Sequence, residues 1–260
     1  MSQAYGKLFA KVYNEKWSGF ANSVGPHILD FYTSKEISKI NKRLLDLCCG
    51  TGYLSLFFLK NDYHVVGIDL SEYMLYYAKE NTKEYIDHGK AKFIKTDASS
   101  FHLDDKFGLA VSTFDALNHL GSKESLQSCF KSVFDVVVDE GYFIFDLNTR
   151  LGLKGWNSIS ISDSGNDIII NRGIFDEENN KAMIRITGFI PAGENLYQRY
   201  DEVVFNVAYD MNEVKDMLHD SGWKEVYFAR SEDLFTPIEE PESMRRVFIV
   251  AKKAKCRGKL

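Results

Sequence analysis

Short apolar runs alternate with longer stretches of helical spacing between residues 43 and 148. The pattern predicts strands at 43–47, 63–69, 91–95, 107–113 and 141–147, and helices at about 52–60, 71–86 and 122–138. Strands joined through helices run parallel, so we expect a parallel sheet with crossover helices. Ligands on such sheets lie beyond the carboxyl ends of the strands.

The chain ahead of this region has a helical pattern. Aromatic residues recur every four positions from Tyr5 to Tyr13. This spacing predicts a helical segment over residues 5–32, whose aromatic stripe packs on the core. Gly25-Pro26 interrupts the segment, so we expect a break there and a second helix over 27–32.

The pattern changes after residue 148. No long helix is indicated between about 155 and 208, where strands are predicted at 166–171, 182–189 and 197–207, with turns at 178–180 and 191–195. This predicts an antiparallel insertion on the parallel core. A helix at 211–221, stopped by Gly222, and two closing strands at 223–229 and 246–251 follow.

The first predicted strand ends in a glycine turn that suits a ligand. Gly50 and Gly52 carry no Cβ, so a ligand can lie against their backbone, beside the free N–H groups of the next helix. Asp69 ends the second strand, and a carboxylate there can accept hydrogen bonds from two ribose hydroxyls. Asp97 ends the third strand. Its carboxylate can accept from an adenine amino group, while the Ala98 N–H meets a ring nitrogen; the alternative is that Asp97 only caps a turn.

At this point the sequence resembles the class I S-adenosylmethionine (SAM)-dependent methyltransferases. Leu45-Asp-Leu-Cys-Cys-Gly-Thr-Gly52 is similar to their first motif, Gly67-Ile-Asp-Leu-Ser71 with Met74 to the second, and Thr96-Asp-Ala98 to the third. Cys48 departs from the pattern, because the family usually has its first glycine there. The resemblance implies SAM as the cofactor, and it implies no catalytic metal. The implied cofactor-binding residues are Tyr13, Asp46, Cys48, Gly50, Thr51, Gly52, Asp69, Leu70, Met74, Asp97, Ala98 and Phe114.

The resemblance also indicates where the acceptor binds. In this family the segment after the fourth strand faces the acceptor, which places Phe114 beside the cofactor and Asn118 and His119 at the acceptor. The N-terminal helices of this family often close over the cofactor as a lid, and Tyr13 would then face the active site. His119 and Tyr13 are therefore the candidates for a catalytic base or orienting group. The alternative for the histidine is an ordinary surface or core residue. Bacterial sugar N,N-dimethyltransferases are similar in carrying an insertion after the fifth strand, which makes Arg199 and Tyr200 candidates for substrate binding. The alternative is that both are ordinary outward-facing strand residues.

These observations predict an α/β fold: a Rossmann-like, mostly parallel seven-stranded sheet with helices on both faces, an antiparallel last strand and a small antiparallel β insertion. We expect a helical lid at 1–42, a SAM-binding core at 43–150, an insertion at 151–208 that forms a pocket wall or a dimer surface, and the rest of the core at 209–260. The predicted function is methyl transfer from SAM to a nitrogen or oxygen nucleophile of a small molecule by in-line displacement.

Three alternatives stay open at this stage. An NAD(P)-dependent oxidoreductase would share the glycine turn and Asp69, but its Gly-x-Gly-x-x-Gly pattern lacks the third glycine here. A nucleic-acid or protein methyltransferase has the same fold. A module that binds SAM without catalysis would keep the binding motifs.

Composition and charge indicate which kinds of binding partner and which cellular compartment suit this chain. The net charge of −5 disfavours a broad nucleic-acid surface. The four cysteines, of which Cys48 and Cys49 are adjacent, form no Cys-x-x-Cys pair and suit reduced thiols in the cytoplasm. No apolar run is long enough to span a membrane or to act as a signal peptide, so we expect no membrane partner. A homodimer is compatible with the predicted insertion.

Overall fold

The computed structural model describes residues 5–194 and 196–255. Its strands are β1 Arg43–Leu47, β2 His64–Asp69, β3 Ala91–Lys95, β4 Phe107–Ser112, β5 Val137–Asn148, β6 Ile159–Asp163, β7 Ile168–Asp176, β8 Lys181–Gly193, β9 Leu196–Val207, β10 Glu225–Ala229 and β11 Arg246–Lys252. Its helices are α1 Lys7–Lys16, α2 Gly19–Thr33, α3 Tyr53–Lys60, α4 Glu72–Asn81, α5 Lys83–Asp87, α6 Lys123–Val136, α7 Arg150–Lys154 and α8 Met211–Asp220, with short 3₁₀ turns at Glu36–Lys39, Ala116–His119 and Pro241–Ser243.

Seven strands form the main sheet in the order β10-β11-β5-β4-β1-β2-β3. Strands β1 to β5 pair in parallel, and β11 runs antiparallel to both β5 and β10. The predicted fold class is therefore confirmed, including the antiparallel last strand. The order reverses beside β1, so the carboxyl ends of β1 and β4 flank the crevice where ligands bind to such sheets.

Both faces of this sheet are covered. In β1, Leu45 and Leu47 belong to the core that α6 and α8 cover, while Leu44 points to the opposite core, which α2 and α3 cover. Alternate side chains of a strand face opposite sides, and a strand buried on both sides reads as the continuous apolar run seen in the sequence.

The N-terminal helices differ from the prediction. The break falls between α1 and α2, at residues 17–18, and α2 continues through Pro26 to Thr33. A proline inside a helix costs about 3 kcal/mol, yet burial of Ile28, Phe31 and Tyr32 in the same helix contributes about 1.5–3 kcal/mol for each side chain. Gly25 lets α2 approach α3, because a Cβ there would meet the Phe57 ring at 2.9 Å.

The insertion is a separate antiparallel sheet in the order β6-β7-β8-β9. Strand β6 was not predicted, because all five of its residues are exposed and its pattern signals no buried face. The predicted turn at 191–195 starts too early, since β8 continues to Gly193, and Asn195 lies outside the described residues. One face of this sheet packs on α1 through Ile169 and Val204.

The boundary between α6 and β5 also differs. The helix was predicted to reach 138, but α6 ends at Val136 and the strand begins at Val137. Cys48, Cys49 and Cys129 carry free thiols, while Cys256 lies outside the described residues. Among the described helices, none combines the length and the apolar character that crossing a membrane requires.

Candidate active site

The loop between β1 and α3 follows the left-handed path that its glycines permit. Gly50 and Gly52 have φ values of +53° and +77°. A Cβ on Gly52 would lie 3.0 Å from the Ala78 backbone, so a glycine lets α4 approach the loop. Cys48 also has a positive φ, +53°, although it is not glycine. That conformation costs an L-residue about 1–2 kcal/mol, which explains why the similar family usually has glycine at this position.

Asp69 ends β2 with its carboxylate beside this loop. It accepts the main-chain N–H groups of Gly50, at 2.9 Å, and Ser71, at 2.8 Å. Burial raises the pKa of Asp69, and these N–H groups oppose the rise. The main chain thereby fixes an acceptor group at the mouth of the sheet.

Asp46 lies deeper than Asp69. It is buried at the end of β1 and accepts a hydrogen bond from the Ser55 hydroxyl at 2.6 Å. Burial raises its pKa to about 7, against the effect of Ser55. Asp46 and Thr51 line a recess of about 40 Å³ behind the loop, which shares Tyr13 and Cys48 with the main cavity.

The main cavity has a volume of about 420 Å³, within the range of small-ligand sites. It brings together eight of the residues predicted from the sequence: Tyr13, Cys48, Gly50, Asp69, Leu70, Met74, Phe114 and His119. The remaining wall comes from the N-terminal segment, the carboxyl ends of β4 and β5, the insertion and the start of β11: Tyr5, Phe9, Trp17, Thr113, Asp115, Ala116, Asn148, Trp156, Asn171, Ile184, Ile186, Val204 and Arg246.

The residues at the end of β3 lie outside this lining, as does Gly52 behind its loop. Asp97 accepts the Ser99 N–H at 2.8 Å, and Ala98 is buried. Their assignment to the adenine ring therefore stays a prediction.

Three predicted substrate-binding residues also lie outside the cavity lining. Asn118 is fully buried, and its side-chain amide forms hydrogen bonds with the main chain. It donates to the Asn148 and Val207 carbonyls and accepts from the Asn148 N–H. Asn118 therefore joins β5 to β9, a role its position after β4 did not indicate. The other two residues lie on β9.

Alternation along β9 separates Arg199 from its neighbour. Arg199 forms an ion pair with Asp201 at 2.7 Å, on the face of the insertion sheet turned away from the cavity. Tyr200 is on the inner face but is buried against Phe9, with ring centroids 6.3 Å apart, and its ring covers Gly188. The inner-face residues that do reach the cavity from the preceding strands are Asn171 on β7 and Ile184 and Ile186 on β8.

His119 is held as a neutral imidazole. Its Nδ1 lies 3.1 Å from the Phe205 carbonyl oxygen, and its Nε2 lies 3.4 Å from the Tyr5 hydroxyl. Burial lowers the pKa of His119, while Asp115 and the Phe205 carbonyl act in the opposite direction. A neutral imidazole can accept a hydrogen bond or a proton at Nε2.

Tyr13 contributes a protonated hydroxyl. Burial raises its pKa, and the nearby carboxylates of Asp115 and Asp69 raise it further. Tyr13 therefore keeps its hydrogen at neutral pH and is suited to orienting a ligand rather than to removing a proton. Its ring packs between Trp17 and Phe114, with centroids 5.5 and 6.2 Å away.

The turn after β4 is strained and is held by buried charges. Phe114 and Asp115 have φ values of +68° and +50°, a conformation that costs about 1–3 kcal/mol per non-glycine residue. Asp146 accepts both of their main-chain N–H groups, at 2.6 and 2.9 Å. Arg246 bridges Asp146 and Asp115, and Asn206 donates to Asp115 at 2.9 Å. Three strands, β5, β9 and β11, thus fix the wall that Phe114 forms.

Sequence reasoning missed Arg246, Trp156 and Asn171 in the cavity wall. One signal was available for Arg246, since it is the one charged residue in the otherwise apolar closing strand predicted at 246–251. Trp156 and Asn171 had none. In the described part of the chain, no three His, Cys, Asp or Glu side chains come together as they would around a metal ion.

Comparison with known proteins agrees with this geometry. Residues 44–141 match a family model described as a methyltransferase domain. Bacillus subtilis YqeM, provisionally named a methyltransferase, is 29% identical over 215 residues, which cover 82% of this chain and 85% of that protein. Human glycine N-methyltransferase is 30% identical over 162 residues, 62% of this chain and 48% of that protein.

Solved structures share the fold. A SAM-dependent methyltransferase from Clostridium acetobutylicum has a TM-score of 0.80 at 22% identity, over 95% of this chain and 98% of that one. The CcbJ methyltransferase from Streptomyces caelestis has a TM-score of 0.77 at 14% identity, over 98% of this chain and 100% of that one. At these identities the similarity establishes a common architecture.

Proposed function

The chain is a SAM-dependent methyltransferase with the class I fold, and we propose that it methylates a nitrogen or oxygen nucleophile of a small-molecule acceptor. One observation carries this proposal: a single cavity of about 420 Å³ joins the loop at Gly50 and Asp69 to His119 and to the insertion wall. Such a volume suits a small acceptor beside a nucleoside-sized ligand better than a polymer segment.

The residues of this cavity fit SAM. When bound, SAM supplies a methyl group already activated by a positively charged sulfur. Asp69 offers a carboxylate to the ribose hydroxyls, the backbone at Gly50 leaves room for close approach, and aromatic faces at Tyr13 and Trp17 attract a cation. Asp46 lies in the adjoining recess, where it can hold an ammonium group.

The protein's own contribution is alignment and exclusion of water. Helix α1 lays an aromatic stripe along the cavity, and the β4 turn fixes Phe114 opposite. The neutral imidazole of His119 lines the same cavity, where it acts as a base or as an orienting group, either directly or through Tyr5. An amine must be neutral to act as a nucleophile, so a neutral acceptor of hydrogen bonds suits it.

An amine is the nucleophile we favour. The cavity wall holds the carboxylates of Asp69 and Asp115 and one guanidinium, Arg246, which is already bridged to Asp115 and Asp146. An acidic acceptor would find no free cation among the described lining residues. Sugar N-methyltransferases such as KedS8 are among the proteins of similar fold, which is consistent with this choice.

Calorimetric titration with SAM, S-adenosylhomocysteine (SAH) and NAD tests the first half of this proposal. We expect micromolar binding of SAM and SAH and none of NAD. A panel of small amines, amino sugars and alcohols, followed by mass spectrometry, tests the second half. If the enzyme methylated RNA or a protein but no small molecule of the panel, the proposal of a small-molecule acceptor would be rejected.

Two further expectations belong to the same proposal. We infer a cytoplasmic enzyme, since Cys48, Cys49 and Cys129 are free thiols that suit a reducing compartment. We also infer a homodimer formed through the outer face of the insertion sheet, where Ile159 and Ile161 are 71% and 67% exposed. Isolated apolar side chains are common on surfaces, but neighbouring ones mark contact sites.

A further inference from the structure

The hydrogen on the His119 ring has a defined place. A carbonyl oxygen can only accept, so the 3.1 Å contact with the Phe205 carbonyl requires the hydrogen on Nδ1. Burial lowers the pKa of His119, so at neutral pH only one of its two ring nitrogens carries a hydrogen. Its Nε2 therefore presents a lone pair.

Tyr5 meets this lone pair. Its hydroxyl oxygen lies 3.4 Å from His119 Nε2, and since Nε2 can only accept here, Tyr5 donates. Burial raises the pKa of Tyr5 well above its usual value, so the hydroxyl keeps its hydrogen. A tyrosine hydroxyl has one hydrogen. With that hydrogen directed to His119, the group offers the cavity only the lone pairs of its oxygen.

Contacts of its own main chain and ring hold Tyr5 at this place. The Ser71 hydroxyl donates to the Tyr5 carbonyl at 2.8 Å, next to the loop that follows Asp69. The Gly6 N–H donates to the Glu202 carboxylate on β9 at 2.9 Å. The Tyr5 ring stacks on Phe9 with centroids 4.7 Å apart. Tyr5 is thus fixed between the cofactor loop and the insertion sheet, and it lines the cavity.

We propose that Tyr5 is a catalytic residue whose hydroxyl oxygen accepts the N–H or O–H of the acceptor, and that His119 is a positioning residue that acts through Tyr5. This inference rests on the function proposed above. It assigns to Tyr5 the task of turning the lone pair of the nucleophile toward the methyl group. It also sets a specificity rule: the nucleophile must carry a hydrogen, so methylation of an amine ends at the tertiary amine.

The pairing can be tested without an acceptor. Nitrogen-15 NMR of the histidine rings would be recorded at pH 7 on the SAH-bound wild type and on Tyr5→Phe, with His119→Ala to assign the signals. Tyr76→Phe, on the exposed surface of α4, is the matched control. We expect a neutral His119 ring with its hydrogen on Nδ1, and an Nε2 signal that moves in Tyr5→Phe alone. A hydrogen on Nε2, or an Nε2 signal that Tyr5→Phe leaves in place, would overturn the inference.

Kinetics with an acceptor from the panel test the roles. Loss of one neutral hydrogen bond is worth about 1 kcal/mol, or roughly fivefold to tenfold, so Tyr5→Phe should lower kcat/KM for the acceptor by about that factor and leave the Kd of SAH unchanged. His119→Ala should cost about the same, and the double variant no more than either. His119→Gln, which can accept from Tyr5 through its amide oxygen, should recover most of the loss. Additive losses would show that His119 acts directly.

The two proposals fail in different ways. A wild type that binds SAH but methylates no member of the panel rejects the proposed function, and the roles given to Tyr5 and His119 fall with it. If the wild type methylates an acceptor, and Tyr5→Phe has the same nitrogen-15 spectrum and the same kcat/KM, the proposed function stands and only the roles given to Tyr5 and His119 are rejected. Steady turnover of a tertiary amine to a quaternary product rejects the specificity rule.

Discussion

Arg246 Nη2 lies 2.6 Å from Asp115 Oδ1, which joins the first residue of β11 to the strained turn after β4. Arg246 also bridges to Asp146, and its guanidinium lies 4.9 Å from the Phe20 ring centroid. One side chain therefore contacts helix α2, the turn after β4 and the buried carboxylate that holds that turn.

Removing this cation should be costly. Arg246→Ala leaves Asp115 and Asp146 buried without their partner, and breaking such a pair costs about 3–5 kcal/mol. Burial already raises the pKa of Asp146 while Arg246 opposes it, so without Arg246 the carboxyl binds its proton more readily. The deficit in unfolding free energy should then shrink as the pH falls. Urea unfolding followed by circular dichroism at pH 5 and pH 8 measures it.

The matched control is Arg185→Ala. Arg185 pairs with Asp201 on the exposed face of the insertion sheet, where an ion pair is worth about 0–1 kcal/mol. If Arg246→Ala were no more destabilising than Arg185→Ala, the buried bridge would not be holding the turn.

Asp69→Asn should weaken SAM binding without unfolding the protein. A hydrogen bond to a charged acceptor contributes about 1.5–3 kcal/mol, so losing the ribose contacts should raise the Kd of SAM by about 100-fold or more. Glu72→Gln, an exposed change three residues away, is the control. Titration calorimetry measures both. An unchanged Kd in Asp69→Asn would refute the placement of the ribose.

Asp46 predicts a proton released on binding. Its pKa of about 7 in the free protein means that at pH 6.5 most molecules carry the proton. A cationic ligand in the adjoining cavity lowers that pKa, so binding of SAM should release up to one proton near pH 6.5 and almost none at pH 8.5. Titrations in buffers of different ionisation enthalpy count the protons. Asp46→Asn should abolish the release, and a release that persists in that variant would assign it to another group.

The same carboxyl gives the stability a definite pH dependence. The folded pKa is raised above the unfolded value, so the folded state binds more protons between about pH 4 and 7. The contribution of Asp46 to the unfolding free energy of the ligand-free protein therefore decreases as the pH rises through that window. Asp46→Asn should show a flatter profile than the wild type there.

Cys48 predicts an order of stabilities. Glycine at this position relieves the left-handed conformation, worth about 1–2 kcal/mol, but adds about 0.5–1 kcal/mol of chain entropy and loses a half-buried side chain. Cys48→Gly should therefore stay within about 1 kcal/mol of the wild type. Cys48→Val, with a branched Cβ at a φ of +53°, should be the least stable and should bind SAH weakly. Thermal unfolding with and without SAH ranks the variants, and a Val variant as stable as Gly would contradict the expectation.

The outer face of the insertion predicts self-association. By the pairing register, Ile161 shares this face with Ile174 and Phe205, which are 53% and 51% exposed. Ile161→Glu should shift a dimer to monomers in sedimentation velocity, while Ser162→Glu, which points to the opposite face of β6, should not. A wild type that sediments as a monomer at 100 µM, about a hundred times a micromolar Kd, would reject the dimer.

The sequence predicted the central sheet closely because its strands are buried on both faces. Bounds for β1 and β3 agree with the structure, and the other central strands differ by one to four residues at their ends. The closing strands carried the same apolar signal. A strand buried on both faces appears in the sequence as a continuous run of apolar residues, so its position can be predicted from neighbouring residues alone.

Predictions failed where the deciding interaction came from a distant segment. Pro26 lies within a helix because α2 packs on α3, and β6 exists because β7 supplies its hydrogen bonds. The loop motifs located Gly50 and Asp69, since their geometry is local. Arg246 reaches the cavity through pairing of β11 with β5, and a charged residue in an apolar strand does not by itself indicate that pairing.

Strand β11 has a consequence for the nascent chain. It is the last strand in order among the described residues, yet it lies inside the sheet, between β5 and β10. Because synthesis proceeds from the N-terminus, the edge of β5 that pairs with β11 has no partner strand until residues 246–252 leave the ribosome. Until then Asp115 and Asp146 also lack their counter-ion. Strand β11 therefore completes both the sheet and the methyl-transfer pocket, and a chain stalled before this strand would expose an unpaired strand edge without acquiring activity.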